Sequence, residues 1–258
     1  MTPKGAAPTW ILLRGWAREA RHWGGFPPQL AQAMAASRVV ALDLPGCGAL
    51  YRERSHLRIE DMAEHCRAQT QALGMAPPYH LLALSMGGMV AATWAARHPR
   101  EVAGMVLINT SMRPFSRVAE RLRPANYAAL ARLALGRPTA RRLEQEIHRM
   151  TSNRPADDAV LAHWLALREA APVRRGNAFR QLIAAARYSA PRSRPAVPTL
   201  VLASEQDRLV SVACSQALAR QWQYPLKLHP FAGHDLPLDD APWVLSQVSQ
   251  WLRECRQR

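Results

Sequence analysis

The 258-residue chain predicts an α/β protein built on a doubly wound, mostly parallel sheet with one helical insertion. Three observations carry that expectation. Short apolar runs recur at 10–14, 38–43, 79–84, 102–109, 199–203 and 226–230, most of them continuous rather than alternating, as strands covered on both faces require. Helical patterns separate these runs, so each strand returns to the sheet through a crossover. From 111 to 194 the strand signal stops while the helical pattern continues, which marks an insertion.

The elements follow in order. The run WILLR at 10–14 ends at Gly15, and a helical pattern covers 22–36. The run RVVALD at 38–43 enters a turn, LPGCG, at 44–48, and a helix follows over 59–73. The next pair is a strand at 79–84 with a helix at 86–98, then a strand at 102–109. Arg- and Ala-rich helical stretches occupy 125–135, 139–150, 156–168 and 176–187. The sheet resumes at 199–203, followed by a helix at 211–222, a strand at 226–230 and a last helix at 242–255. The expected division is a core of 1–110 and 195–258 with a helical cap at 111–194.

Composition narrows the function classes. A hydrophobic fraction of 48% against 21% charged residues suits a chain that folds around a core. No run approaches the roughly 20 apolar residues of a membrane span, and residues 1–9 lack the apolar stretch of a signal peptide, so a cytoplasmic protein with no membrane association is expected. Cys47, Cys66, Cys214 and Cys255 are widely spaced and form no C-x-x-C pair, so no metal site and no redox motif is expected, and no cofactor. The formal charge of +15 is concentrated: 111–194 hold 17 Arg against 6 acidic residues, a net of +11. Lys occurs only at positions 4 and 227, which points to codon bias behind much of the Arg content. The insertion's few aromatics are not interleaved with its basic residues as base stacking would need, so no nucleic-acid partner is expected.

The chemistry centres on ALSMG at 83–87, where a strand gives way to a helix. A nucleophile elbow needs a serine on a strained turn and small residues two before and two after it, here Ala83 and Gly87. Ser85 is therefore the candidate nucleophile. A serine hydroxyl needs a base to take its proton. Of the nine histidines only His234 falls in the short loop between the last strand and the last helix. Asp207, after the penultimate strand, is the candidate that orients the base, with Glu205 the alternative. Asp235, Asp239 and Asp240 are read as caps of the last helix. Backbone N–H groups of Met86 and Trp16 are the candidate donors for a developing oxyanion.

Ser85, Asp207 and His234 in this order, with the Gly15-Trp16 loop after the first strand, resemble the α/β-hydrolase superfamily of serine hydrolases over nearly the whole chain. Within it the chain is similar to small capped carboxylesterases, such as the carrier-protein methyl esterases of biotin synthesis. The resemblance implies cleavage of a carboxylic ester through an acyl-enzyme, with the insertion as a lid whose Met112, Phe115, Tyr127 and Trp164, together with Trp16, contact the substrate. It admits a carrier-protein ester or acyl thioester delivered by an acidic acyl carrier protein that the basic cap attracts. Carbon–carbon bond hydrolysis, cofactor-free haloperoxidase chemistry and a non-catalytic binding role stay open as alternatives. One departure stands out: the oxyanion loop of such enzymes usually begins His-Gly, and here it is Arg14-Gly15.

Overall fold

The computed structural model describes residues 9–35, 37–136, 138–155 and 157–257. Residues 1–8, where no signal peptide is expected, and the predicted helix ends at 36 and 156 lie outside these residues. Among the described residues six strands form one sheet: β1 (Thr9–Leu13), β2 (Arg38–Leu42), β3 (Tyr79–Leu84), β4 (Val102–Ile108), β5 (Thr199–Ser204) and β6 (Leu226–His229). Their order is β2-β1-β3-β4-β5-β6 and every neighbouring pair is parallel. Each strand matches a run expected from the sequence to within a residue or so, because buried parallel strands leave an uninterrupted apolar trace.

Side-chain alternation splits the core into two layers. Ile11 and Leu13 of β1, with Leu81 and Ala83 of β3, pack against α2 (Ile59–Ala72), α3 (Met86–Arg97) and α9 (Val212–Trp222). Trp10, Leu12, Leu82 and Leu84 point the other way, to α1 (Phe26–Ala33) and α11 (Ala241–Arg256). Truncating any one of these fully buried leucines to alanine costs about 2–5 kcal/mol. Helix α3 is buried from Met86 to Ala95 and runs behind the centre of the sheet.

Among the described residues between β4 and β5 lie the helices α4 (Val118–Arg121), α5 (Tyr127–Leu135), α6 (Ala140–Thr151), α7 (Asp158–Ala170) and α8 (Arg175–Arg187), with one isolated bridge, Arg113 to Ser189, and no strand. After β6 come the short α10 (Leu236–Asp239) and then α11. Among the described residues no helix is long and apolar enough to cross a membrane.

The first predicted helix is interrupted. A 3-10 turn at Ala20–Trp23 stops at Gly24, whose φ is 53°, and α1 starts at Phe26 with prolines inside its first turn. The Gly24-Gly25 and Pro27-Pro28 pairs dictate this break, since glycine closes one helix and proline suits only the first turn of the next.

The strand order reverses between β1 and β3, so their carboxyl ends open a crevice where α/β sheets place ligands. The loop carrying Arg14, Gly15 and Trp16 leaves β1 there, and Ser85 leaves β3 beside it.

Candidate active site

Strand β3 ends at Leu84 and α3 begins at Met86, so Ser85 alone makes the turn, with φ 56° and ψ −120°. A non-glycine residue in that region stores of order 1–3 kcal/mol and persists only where its surroundings hold it. Three bonds hold it. Ser85 N donates to Ile108 O (2.9 Å), while Ser85 O accepts from Gly88 N (2.9 Å) and Thr110 Oγ1 (2.8 Å). A small residue is required two positions after it: a Cβ on Gly87 would sit 2.4 Å from Leu13 O and 2.7 Å from Arg14 O. Likewise a Cβ on Gly15 would lie 3.1 Å from Ser85 Cβ, so the loop after β1 runs directly against the elbow. Among the described residues the Ser85 hydroxyl makes no hydrogen bond, and the residue is partly exposed.

His234 lies in the loop after β6 and is buried. Its Nδ1 and Asp207 Oδ2 are 2.7 Å apart, and Asp207 is only 2% exposed. The other carboxylate oxygen of Asp207 accepts from Leu209 N (2.7 Å) and Val210 N (2.9 Å), which fixes the carboxylate after β5. Glu205 is exposed and does not share this contact. Asn109, at the end of β4 with φ 46°, ties the His234 loop to the sheet: its Nδ2 donates to His234 O (2.9 Å) and Ser204 Oγ (3.0 Å). Because Ser85 N is bonded to Ile108, the residue before Asn109, the elbow and the His234 loop hang from adjacent positions of one strand end. Asn109 carries one signal in the sequence, a polar residue closing an apolar strand, and no motif.

Two expectations about the acidic residues need correction. Asp235 does not cap the last helix. It forms a buried two-pronged ion pair with Arg14, Nη2–Oδ2 2.6 Å and Nη1–Oδ1 3.1 Å. Burial works to raise the Asp235 carboxyl, but Arg14, helped by Arg18 and His234, outweighs it and holds the group below the ordinary carboxylate range. Asp239 sits in α10 and also leaves α11 alone: it accepts from Ser152 Oγ, Asn153 N and Gly233 N. Asp240 is the cap, accepting from Trp243 N at 2.9 Å. Gly233 is required less for a sharp turn than for close approach, since a Cβ there would lie 2.9 Å from Thr151 O.

The candidate oxyanion donors are available: the N–H groups of Trp16 and Met86 have no protein acceptor among the described residues, and Met86 opens α3. The loop around Trp16 is bonded to α8, Trp16 Nε1 to Ala178 O (2.7 Å) and Ala17 N to Gln181 Oε1 (2.9 Å). Of the expected substrate contacts, Met112 is fully buried in the core, and Phe115 meets Trp222 edge-on at 5.5 Å. Trp164 is buried beneath the Arg18 guanidinium, 4.1 Å from its ring centre, whereas Tyr127 is 43% exposed. Arg18 and Arg168 both bond the buried Glu144 of α6, at 2.8 and 2.5 Å. A cleft of about 810 Å³ is lined by Arg14, Trp23, His163, Trp164 and Asp235, while Ser85 and His234 are not among its lining residues.

The family described as Serine aminopeptidase, S33 matches residues 18–241. A pimeloyl-[acyl-carrier protein] methyl ester esterase of Aeromonas salmonicida is 31% identical over 171 residues, 64% of this chain and 64% of that one. Another of the same description, from Sodalis glossinidius, is 39% identical over 107 residues, 40% of this chain and 37% of its own. The chain thus spans less than two thirds of the length of these curated relatives. An esterase from Thermogutta terrifontis superposes with a TM-score of 0.75 at 23% identity, covering 97% of this chain and 91% of that one, which shows the shared α/β-hydrolase fold.

Proposed function

The chain belongs to the Serine aminopeptidase, S33 family of hydrolases, and on that premise we propose that it cleaves carboxylic esters through an acyl-enzyme. Ser85 is the nucleophile, His234 the base and Asp207 the carboxylate that orients it. The observation that carries this reading is the buried 2.7 Å contact of His234 Nδ1 with Asp207 Oδ2, on a loop that shares a strand end with the strained serine. Asp207 fixes the imidazole tautomer, leaving Nε2 to take the Ser85 proton as the hydroxyl attacks the ester carbonyl. Hydrogen bonds between nucleophile and base are commonly long before substrate arrives and tighten in the complex. The alkoxide formed at the carbonyl is met by the N–H groups of Met86 and Trp16. Collapse expels the alcohol with a proton from His234, and water activated by the same imidazole releases the acid.

Residues 111–194 act as the lid, and of the aromatic side chains expected to meet a substrate Trp16 and Tyr127 keep exposed surface. A carrier-protein ester is the favoured substrate class: relatives carry that description, and the lid holds a net +11. Electrostatic attraction of an acidic carrier predicts kcat/KM for a carrier-bound ester that exceeds the free ester at low salt and falls as salt is added.

The test is a variant series on p-nitrophenyl esters. Ser85→Ala abolishes turnover, by more than about 10³-fold, together with labelling by a fluorophosphonate. Asp207→Asn costs less than Ser85→Ala, and Glu205→Gln stays close to the parent. Labelling that survives Ser85→Ala sinks the assignment, and a Glu205→Gln loss larger than that of Asp207→Asn sinks the choice of acid.

A further inference from the structure

Arg14 occupies the position next to Gly15, which packs on the elbow, and Asp235 directly follows His234. Their side chains meet across 221 positions of sequence in a two-pronged pair whose members are 3% and 4% exposed. The Arg14 guanidinium also lies 4.8 Å from the ring centre of Trp23. Asp235 N donates to Thr151 O at 2.7 Å, so the acid is fixed by its backbone as well as its carboxylate. One ion pair therefore joins the segment that carries the Trp16 N–H to the segment that carries the imidazole.

We propose that Arg14 and Asp235 are positioning residues for ester cleavage: the fork sets the oxyanion loop and the base loop in register, and the cation offsets a carboxylate adjoining the base. The proposal rests on the assignment of Ser85 and His234 above. Two separable effects follow from it. Geometry comes from the planar fork, which only a guanidinium supplies bidentately. Charge balance comes from the net neutrality of the pair next to an imidazole that becomes cationic in each half-reaction. The other charged or titratable groups around the pair are Arg18 and His22 from the segment after β1, His148 from α6, Arg154 from the segment after α6, His163 from α7 and Asp239 and Asp240 at the cleft they share, with Asp207 on the far side of His234. None of these is altered in the variants below.

The signs are opposite for the two partners. Removing Arg14 leaves an unbalanced anion beside the base, stabilises the imidazolium and moves the acid limb of kcat/KM to higher pH. Removing the carboxylate leaves an unbalanced cation and moves the limb to lower pH. A merely structural pair would weaken both variants without this antisymmetry.

The experiment measures kcat, KM and the pH profile of kcat/KM on a p-nitrophenyl ester for Arg14→Gln, Asp235→Asn, their double variant and Arg14→Lys. Arg14→Gln shifts the acid limb up by about half a pH unit or more and Asp235→Asn shifts it down by a similar amount. The double variant, which leaves no unpaired buried charge and so keeps its fold, returns the limb to the parent position. Its kcat stays at least about 10-fold low because the fork is gone, with KM changed by less than about threefold. Arg14→Lys keeps the limb in place and shares the kcat loss. Limbs that coincide with the parent in both single variants, limbs that move in the same direction, or a double variant with parent kcat each overturn the proposal. Loss of fluorophosphonate labelling in Ser85→Ala alongside unmoved limbs refutes this inference alone, whereas labelling retained in Ser85→Ala refutes the triad beneath it.

Discussion

Replacing Gly87 with alanine tests how closely the oxyanion loop and the elbow are matched. The added Cβ would stand 2.4 Å from Leu13 O and 2.7 Å from Arg14 O, and both contacts are backbone atoms. A comfortable carbon–oxygen approach is about 3.3 Å, so the loop after β1 must retreat by roughly 0.6–0.9 Å. Trp16 lies two residues beyond Arg14, and that retreat carries its N–H out of range of the developing oxyanion. Losing one such donor lowers kcat by about 10²–10³-fold, equivalent to about 3–4 kcal/mol. The strain itself destabilises the fold by about 1–3 kcal/mol, or several degrees in Tm for a chain of this length. The assay is steady-state hydrolysis of a short p-nitrophenyl ester beside thermal unfolding, with Gly176→Ala as the control, because nothing lies within 4 Å of a Cβ at Gly176. A Gly87→Ala enzyme whose kcat stays within threefold of the parent would refute the argument that these carbonyls set the loop.

Two further predictions follow from buried charge. Glu144→Gln leaves Arg18 and Arg168 without their shared carboxylate and should cost about 3–5 kcal/mol, read as a lower urea midpoint with an unchanged slope. A variant unfolding within 1 kcal/mol of the parent would show that the network contributes little. His80 stacks on Trp10 at 4.8 Å, and burial, with a smaller push from Arg256, lowers its pKa to about 4. The unfolded chain takes up that proton near pH 6.5 and the folded chain does not, so this contribution to stability is complete above about pH 6.5 and is lost as pH falls toward 4. His80→Phe, which keeps the stacking, should flatten the decline in urea midpoint between pH 7 and 5. An equal decline in both proteins would rule His80 out as its source.

The strands, the turn at Ser85 and the pairing of His234 with Asp207 were legible because each depends on local signals. Parallel strands read as apolar runs, the turn at Ser85 as small residues flanking it, and the candidate base as a histidine in the loop after the final strand. What escaped the sequence depends on side chains that meet only after folding. Asp235 looks like a helix cap in one dimension, since acids near helix starts usually are, and only the fold reveals a buried arginine 221 positions away competing for it. Glu144 reads as one more charge on an amphipathic helix, yet it is buried between two guanidinium groups. Gln181 and Asn109 carry no motif, although each anchors a loop that borders the elbow.

The segment Thr151–Asn153 is fastened to the His234 loop and α10 by Thr151 O on Asp235 N, by Ser152 Oγ and Asn153 N on Asp239, and by Asn153 Nδ2 on Phe231 O. That stretch joins α6 to α7, so the midpoint of the insertion is riveted to the side of the molecule that carries the imidazole. Any widening that spares these bonds must pivot here and gape at the opposite end. Severing them would loosen the loop that carries His234, so opening of the insertion at this end and the His234–Asp207 contact are mechanically linked.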